Sequence, residues 1–182
     1  MITKEMLRAN LKDGGWTVFL DRDGVINKRK YASYVMNRNE FQFLPGVLDA
    51  LVKFAEYADN IIVVTNQRGI ARRLMTEADL ADIHAYFVEE VEKAGGRIDG
   101  IYYCPHDRDS GCRCRKPQPG MAEDARDEHH TIEFMRSIMF GDTFTDMQFG
   151  RLLGMHTIQI GPDKIPESYT DLRLERLIDF WR

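Results

Sequence analysis

The stretch Val18-Phe19-Leu20-Asp21-Arg22-Asp23-Gly24 limits the fold more than any other part of the chain. An aliphatic and aromatic run ends abruptly at two carboxylates two positions apart, and a glycine follows. Trp16 to Leu20 therefore reads as a buried strand that stops at Asp21. Similar short apolar runs recur at Ile61 to Val64, Ile101 to Tyr103, Ser137 to Phe140 and Thr157 to Ile160. Segments with helical spacing separate them. Pro45-Gly46 opens one that carries Val47, Leu48, Leu51, Phe54 and Ala55. Thr76-Glu77-Ala78-Asp79 reads as the capped start of another, with Leu80, Ile83, Phe87, Val88 and Val91 on its inner face and Gly95-Gly96 at its end. Met121 to His129, Asp146 to Leu153 and Leu172 to Trp181 complete the expected helices. This alternation predicts an α/β fold, a Rossmann-like three-layer sandwich with a central parallel sheet.

The 182 residues suffice for one compact domain, and no repeat or linker divides them, so residues 1–182 are expected to form a single domain. The net charge of −4 includes no basic tract, which argues against nucleic acid as a partner. No apolar run approaches the length of a membrane span. Met1 to Asp13 is mixed and charged, without the core of a signal peptide, so the expected compartment is the cytoplasm; the compactness of the expected fold makes a monomer the expected state. The 3 cysteines, Cys104, Cys112 and Cys114, are an odd set in one short stretch, which points to a metal rather than a disulfide framework.

In a parallel sheet the carboxyl ends of the strands share one edge, where ligands bind. Asp21 and Asp23, Thr65 and Asn66, and Asp142 all fall at such ends, and Arg115-Lys116-Pro117 follows the cysteine loop. The set combines carboxylates suited to a hard divalent cation such as magnesium, a hydroxyl and amides for phosphate oxygens, and an ammonium. Singly, each part is the ordinary content of a polar turn. Their order along the chain is what points to phosphate chemistry.

These residues resemble the four motifs of the haloacid dehalogenase-like phosphatases: Asp21-x-Asp23-Gly24, Thr65, Lys116 and Gly141-Asp142-x-x-x-Asp146. Longer strings, Phe19 to Asn27, Thr65 to Arg72, Tyr102 to His106 and Cys114 to Pro117, are similar to the branch containing heptose-bisphosphate and histidinol-phosphate phosphatases. The resemblance implies a phosphatase with a short loop insertion in place of a cap domain. Asp21 would attack phosphorus, and Asp23 would act as acid and then base, its pKa raised by the neighbouring Asp21 carboxylate. Thr65 and Lys116 would hold phosphate oxygens, and Asp21, Asp23 (through its carbonyl) and Asp142 would hold Mg2+. Asp146 would either orient Lys116 or cap the helix after it. Asn66, Arg68, Arg72 and Arg115 are the implied substrate-binding residues. Lys28, Arg29, Lys30 and Arg38 offer further charge for a second phosphate, and Tyr31 and Tyr34 offer faces for a sugar.

Cys104, His106, Cys112 and Cys114 supply three thiolates and an imidazole, a closed tetrahedral set for Zn2+. Asp107 to Gly111 is too polar to bury those thiols unaided, and four protein ligands leave no position for substrate. The expected role is to rigidify a zinc-binding loop that aims Arg115 and Lys116. Heptose 1,7-bisphosphate is the implied substrate and histidinol phosphate the alternative. The brief spacer of the cysteine loop and Thr143, where heptose phosphatases often carry a lysine, depart from the heptose pattern. A phosphosugar-binding or zinc-stabilised module without catalysis is the competing class, and it has no use for a paired nucleophile and acid.

Overall fold

The computed structural model describes residues 2–31 and 33–182. Six strands form one sheet: β1 (Thr17–Leu20), β2 (Asn60–Asn66), β3 (Gly100–Cys104), β4 (Ser137–Gly141), β5 (His156–Ile160) and β6 (Leu172–Leu174). Their order is β3-β2-β1-β4-β5-β6, and every pairing is parallel. The central strands are buried along their length except at Asn66, the last residue of β2, as expected of apolar runs covered on both faces. Alternate residues of each strand serve opposite layers. Val18 and Leu20, with Ile61, Val63, Ile138 and Phe140, pack under α1 (Lys4–Lys12), α2 (Val47–Tyr57) and α3 (Glu77–Lys93). Phe19, Ile62, Val64 and Met139 pack under α4 (Gly120–Glu128) and α5 (Phe144–Leu152).

Two segments depart from the sequence-based expectation. Residues 172–181 were expected to be one helix, but Leu172–Leu174 pairs with β5 as an edge strand, and only Leu177–Phe180 forms a short 3-10 turn. The open edge of β5 offers a ladder of backbone partners that a solvent-side helix would leave unused. Phe180 is then stacked on Phe54. The N-terminal segment, read from sequence only as charged, contains α1. Thr3 caps it by accepting from the Met6 amide, and Leu7 and Leu11, one turn apart, are fully buried. Arg8 and Lys4 donate to backbone carbonyls of the C-terminal residues and tie the two chain ends together.

The strand order places β1 between β2 and β4, at the point where the chain's winding reverses. Open α/β sheets leave a crevice there, beyond the carboxyl ends of the strands. Among the described residues of the Asn27–Phe43 insertion, regular structure is limited to a 3-10 turn at Arg38–Glu40 and isolated bridges, including Asn27 to Phe43. No described helix is long and apolar enough to cross a membrane.

Candidate active site

Register alone brings the first acid to its partners. Leu20 lies beside Val63 and Phe140, and the Asp21 amide donates to the Phe140 carbonyl at 2.9 Å. Asp21 therefore emerges between the ends of β2 and β4, next to Thr65 and Asp142. Oxygens of Asp21, Asp142 and Asp146 all lie within 4.8 Å of one another. Lys116 enters from the loop after β3 with its side chain 1% exposed. Its ammonium donates to Asp21 Oδ1 at 2.6 Å and to the Val64 carbonyl at 2.6 Å, and lies 2.7 Å from Asp146 Oδ1. An ammonium has three protons, and these contacts use all of them.

Asp146 resolves the two options left by the sequence by doing both. One oxygen faces Lys116, and the other accepts from the amide and hydroxyl of Thr143, capping α5. Gly24, at φ 103°, lies against the fourth strand's acid, where a side-chain Cβ would collide with the Asp142 carboxylate.

Burial is the main force on these acids. It pushes Asp21 up to about 7, with Lys116 pulling against it and Asp146 and Asp23 adding repulsion. It pushes Asp142 up to about 8, with Asp21 and Asp146 in the same direction and Arg29 opposing. Burial also disfavours the charged Lys116, yet Asp146 and Asp21 outweigh it and raise the group above its ordinary value. Asp21 and Asp146 thus share one lysine, Asp142 has only the half-buried Arg29, and among the described residues Asp142 Oδ1 is buried without a partner. This hard, electron-rich and undercompensated oxygen set fits a divalent cation of the magnesium type.

Asp23 behaves differently from the expectation drawn for it. Burial raises it, but the Arg22 guanidinium and the amides of Asn27 and Gln67 outweigh burial and hold its carboxyl below the ordinary aspartate range. The sequence reading had Asp21 raising it. Arg22 decides the direction: its side chain is fully buried, reaches His84 of α3 and donates to both Asp23 oxygens at 3.0 and 2.9 Å. Gln67 bridges Asp23 and Thr65, donating to each at 2.9 and 2.8 Å.

The remaining residues divide sharply. Asn66 grips the backbone of Lys116, accepting from its amide at 3.0 Å and donating to its carbonyl at 3.3 Å. Arg68 pairs with Asp107 of the cysteine loop. Arg72 and Arg115 line the cavity in front of Asp21, about 1130 Å³ in volume. Arg115 also donates to the His106 carbonyl at 3.2 Å. In the insertion, Arg29 reaches Asp142 at 3.0 Å and lies over the Tyr31 ring. Lys30 pairs with Glu40 and Arg38 with Asp82, while Tyr34 lines the cavity.

Behind Lys116, the sulfurs of Cys104, Cys112 and Cys114 and a ring nitrogen of His106 converge within 4.8 Å. Cys104 Sγ is 3.6 Å from Cys112 Sγ and 3.7 Å from His106 Nδ1, which is 3.2 Å from Cys114 Sγ. Burial and the adjoining thiols push Cys114 up to about 12, while hydrogen bonds from Ser110 and its neighbours outweigh burial at Cys112 and bring it down to about 6. Such divergence is the mark of thiols too close to ionise together without a cation, and the donor set suits zinc.

Comparisons with known proteins agree with this geometry. A HAD-hydrolase-like family model matches residues 113–171. D-glycero-alpha-D-manno-heptose-1,7-bisphosphate 7-phosphatase of Mycobacterium tuberculosis is 42% identical over 133 residues, 73% of this chain and 70% of that protein. This chain belongs to the haloacid dehalogenase-like phosphatases. D-glycero-beta-D-manno-heptose-1,7-bisphosphate 7-phosphatase of Escherichia coli K12 is another relative, 41% identical over 138 residues, 72% of this chain and 71% of that one. A D,D-heptose 1,7-bisphosphate phosphatase from B. bronchiseptica, crystallised with magnesium and phosphate, superposes with a TM-score of 0.80 at 32% identity. The match covers 89% of this chain and 93% of that one. Against that family background, the residues that sequence reasoning missed are Arg22, Asn27 and Gln67, which bond Asp23, and His84, which bonds Arg22. Arg22 carried a visible signal, a cation between two acids. His84 carried none, because it reads as one more residue on the inner face of α3.

Proposed function

We propose that this phosphatase removes the 7-phosphate of D-glycero-D-manno-heptose 1,7-bisphosphate and leaves heptose 1-phosphate, with residues 1–182 working as one catalytic domain. The observation that carries the reading is the convergence of Asp21, Asp142 and Asp146 with a Lys116 whose every proton is engaged. A carboxylate so placed has one face toward the cavity and the other anchored. The names of the relatives supply the substrate class.

Asp21 attacks phosphorus in line, the bond from phosphorus to the sugar oxygen breaks, and an aspartyl-phosphate forms. Asp23, held low in the free protein by Arg22, Asn27 and Gln67, takes up a proton as the phosphate dianion of the substrate arrives beside it, gives that proton to the departing oxygen and later takes one from the water that hydrolyses the intermediate. Lys116 and Thr65 stabilise charge on the phosphate oxygens, and Asp146 holds Lys116 in place. Magnesium held by Asp21, Asp142 and the Asp23 carbonyl would offset the repulsion between the carboxylate and the phosphate dianion. Cys104, His106, Cys112 and Cys114 would hold zinc as a structural brace for Arg115 and Lys116. Asn66 works mainly as a clamp on Lys116, while Arg68, Arg72 and Arg115 face the second phosphate. On this reading the enzyme works in the cytoplasm as a monomer on a soluble phosphosugar.

The test is side-by-side turnover of both heptose 1,7-bisphosphate anomers and histidinol phosphate, with magnesium present. A kcat/KM for one heptose anomer far above that for histidinol phosphate is expected. Preference for histidinol phosphate would move the enzyme to the other branch, and no turnover of any of them would favour a binding module.

A further inference from the structure

The most buried charge near the reaction centre is one the mechanism above leaves unused. Arg22 is fully buried, and its guanidinium has two directed contacts. Nη2 donates to both oxygens of Asp23, at 3.0 and 2.9 Å, and Nη1 lies 3.3 Å from His84 Nε2 on α3. The third nitrogen, Nε, has no partner among the described residues. A guanidinium can only donate, so His84 must accept through an unprotonated Nε2, with the ring neutral and its proton on Nδ1. The ring itself is held edge-on by Phe87 and Tyr103, each at 6.0 Å between centroids. Burial and the guanidinium push its pKa down to about 3, which keeps the acceptor form in place.

We infer that His84 is a positioning residue for Asp23, acting through Arg22. The inference rests on the reading of Asp23 as the proton donor to the leaving group. With Nε unbonded, a guanidinium clamped only at Asp23 is free to tilt about that contact. His84 fixes the opposite end, so the plane of the guanidinium, and with it the direction of the Asp23 carboxyl, is set by helix α3. Asn27 and Gln67, each 2.9 Å from Asp23, complete the cradle, but their amides hold the carboxylate and not the guanidinium. Among the described residues, His84 makes no hydrogen bond or ion pair with the cavity-lining residues or the metal-type acids, so its effect should be confined to proton delivery.

Leaving-group chemistry separates this role from a general structural one. A sugar alkoxide needs a proton to depart, whereas p-nitrophenolate leaves without one. The experiment measures kcat/KM, which reports steps through departure of the leaving group, for the heptose bisphosphate and for p-nitrophenyl phosphate with magnesium. His84→Leu should lower the value for the sugar ester by roughly tenfold, part of the ~10²–10⁴-fold that general acid catalysis supplies, and leave the aryl ester within about twofold. His84→Gln, whose side-chain carbonyl can accept from Arg22, should recover most of the loss. Equal losses on both esters, or no rescue by glutamine, would overturn the inference. Asp23→Asn is the control. If it fails to discriminate between the esters, the acid assignment is wrong; if it discriminates and His84→Leu does not, only the positioning role is wrong. Should the variants not fold, 15N NMR of the unaltered, magnesium-loaded protein decides. It should show a neutral His84 with Nε2 unprotonated, and a proton on Nε2 would contradict the arrangement.

Discussion

Asp21, Asp142 and Asp146 crowd together, with Lys116 offsetting the charge of Asp21 and Asp146 and Arg29 that of Asp142. A buried carboxylate beside two more is held up near neutrality by burial first and by repulsion second. The sign of the pH dependence follows. Carboxyls whose folded values lie near 7 and 8, above the ordinary aspartate range, stabilise the metal-free fold at low pH and lose that contribution as pH rises through those values. Magnesium should reverse the loss by replacing the protons. The gain in Tm on adding magnesium is therefore expected to be larger at about pH 8.5 than at about pH 5.5, and calorimetry in two buffers should detect proton release on binding. A gain independent of pH would contradict this. Asp21→Asn should reduce kcat by at least about 10³-fold, the order of loss typical for a group that acts as part of a catalytic unit, and activity that survives would remove the nucleophile. At this scale the motif acids and Lys116 were legible from spacing. The lowered Asp23 was not, because its environment comes from Arg22, Gln67 and Asn27, whose convergence depends on the path of the loop.

Helices and loops act on the site by holding side chains at fixed angles. Asp146 caps α5 and faces Lys116 at once, so Asp146→Ala removes a cap and leaves a buried ammonium short of a partner. A loss of about 3–5 kcal/mol is expected in chemical unfolding, and a loss below about 1 kcal/mol, the worth of a cap alone, would show that the ion pair contributes little. The cysteine loop joins the site through Arg115, which donates to the His106 carbonyl, and through Lys116 directly after it. Cys112→Ser, or chelation of zinc from the loaded protein, should lower both Tm and kcat. Full retention of both would end the bracing role. Sequence patterning located β1 to β5 and the cap of α3 at Thr76, where local and tertiary preferences agree. It failed at residues 172–181, where Leu172 and Leu174 suit either period and the free edge of β5 decides. It also passed over α1, whose two buried leucines are outnumbered by charged neighbours. Leu7→Ala should cost about 2–5 kcal/mol, the range for a fully buried leucine.

Across the whole molecule, function follows from one topological fact. The chain starts its sheet in the middle, winds outward through β2 and β3, and returns to lay β4 to β6 on the other side. Residues more than a hundred positions apart in sequence, such as Asp21 and Asp142, are thereby brought within reach of each other. The alternation of strands and helices made this layout readable in advance, since a parallel sheet has few workable orders. What alternation could not supply was the wall of the cleft. The insertion after β1 sends Arg29 to Asp142, and the segment after the cysteine loop brings Arg115 to the same cavity. Neither path has a sequence period to read. The account therefore stands or falls on whether phosphorus is transferred to the end of β1. The most direct measurement is an acid quench of the magnesium-loaded enzyme during turnover of substrate labelled with 32P at the scissile phosphate, followed by peptide mapping. The account predicts an acid-stable, hydroxylamine-labile label on Asp21 that is absent from Asp21→Asn. Turnover with no label on the protein, or a label on any other residue, would contradict it.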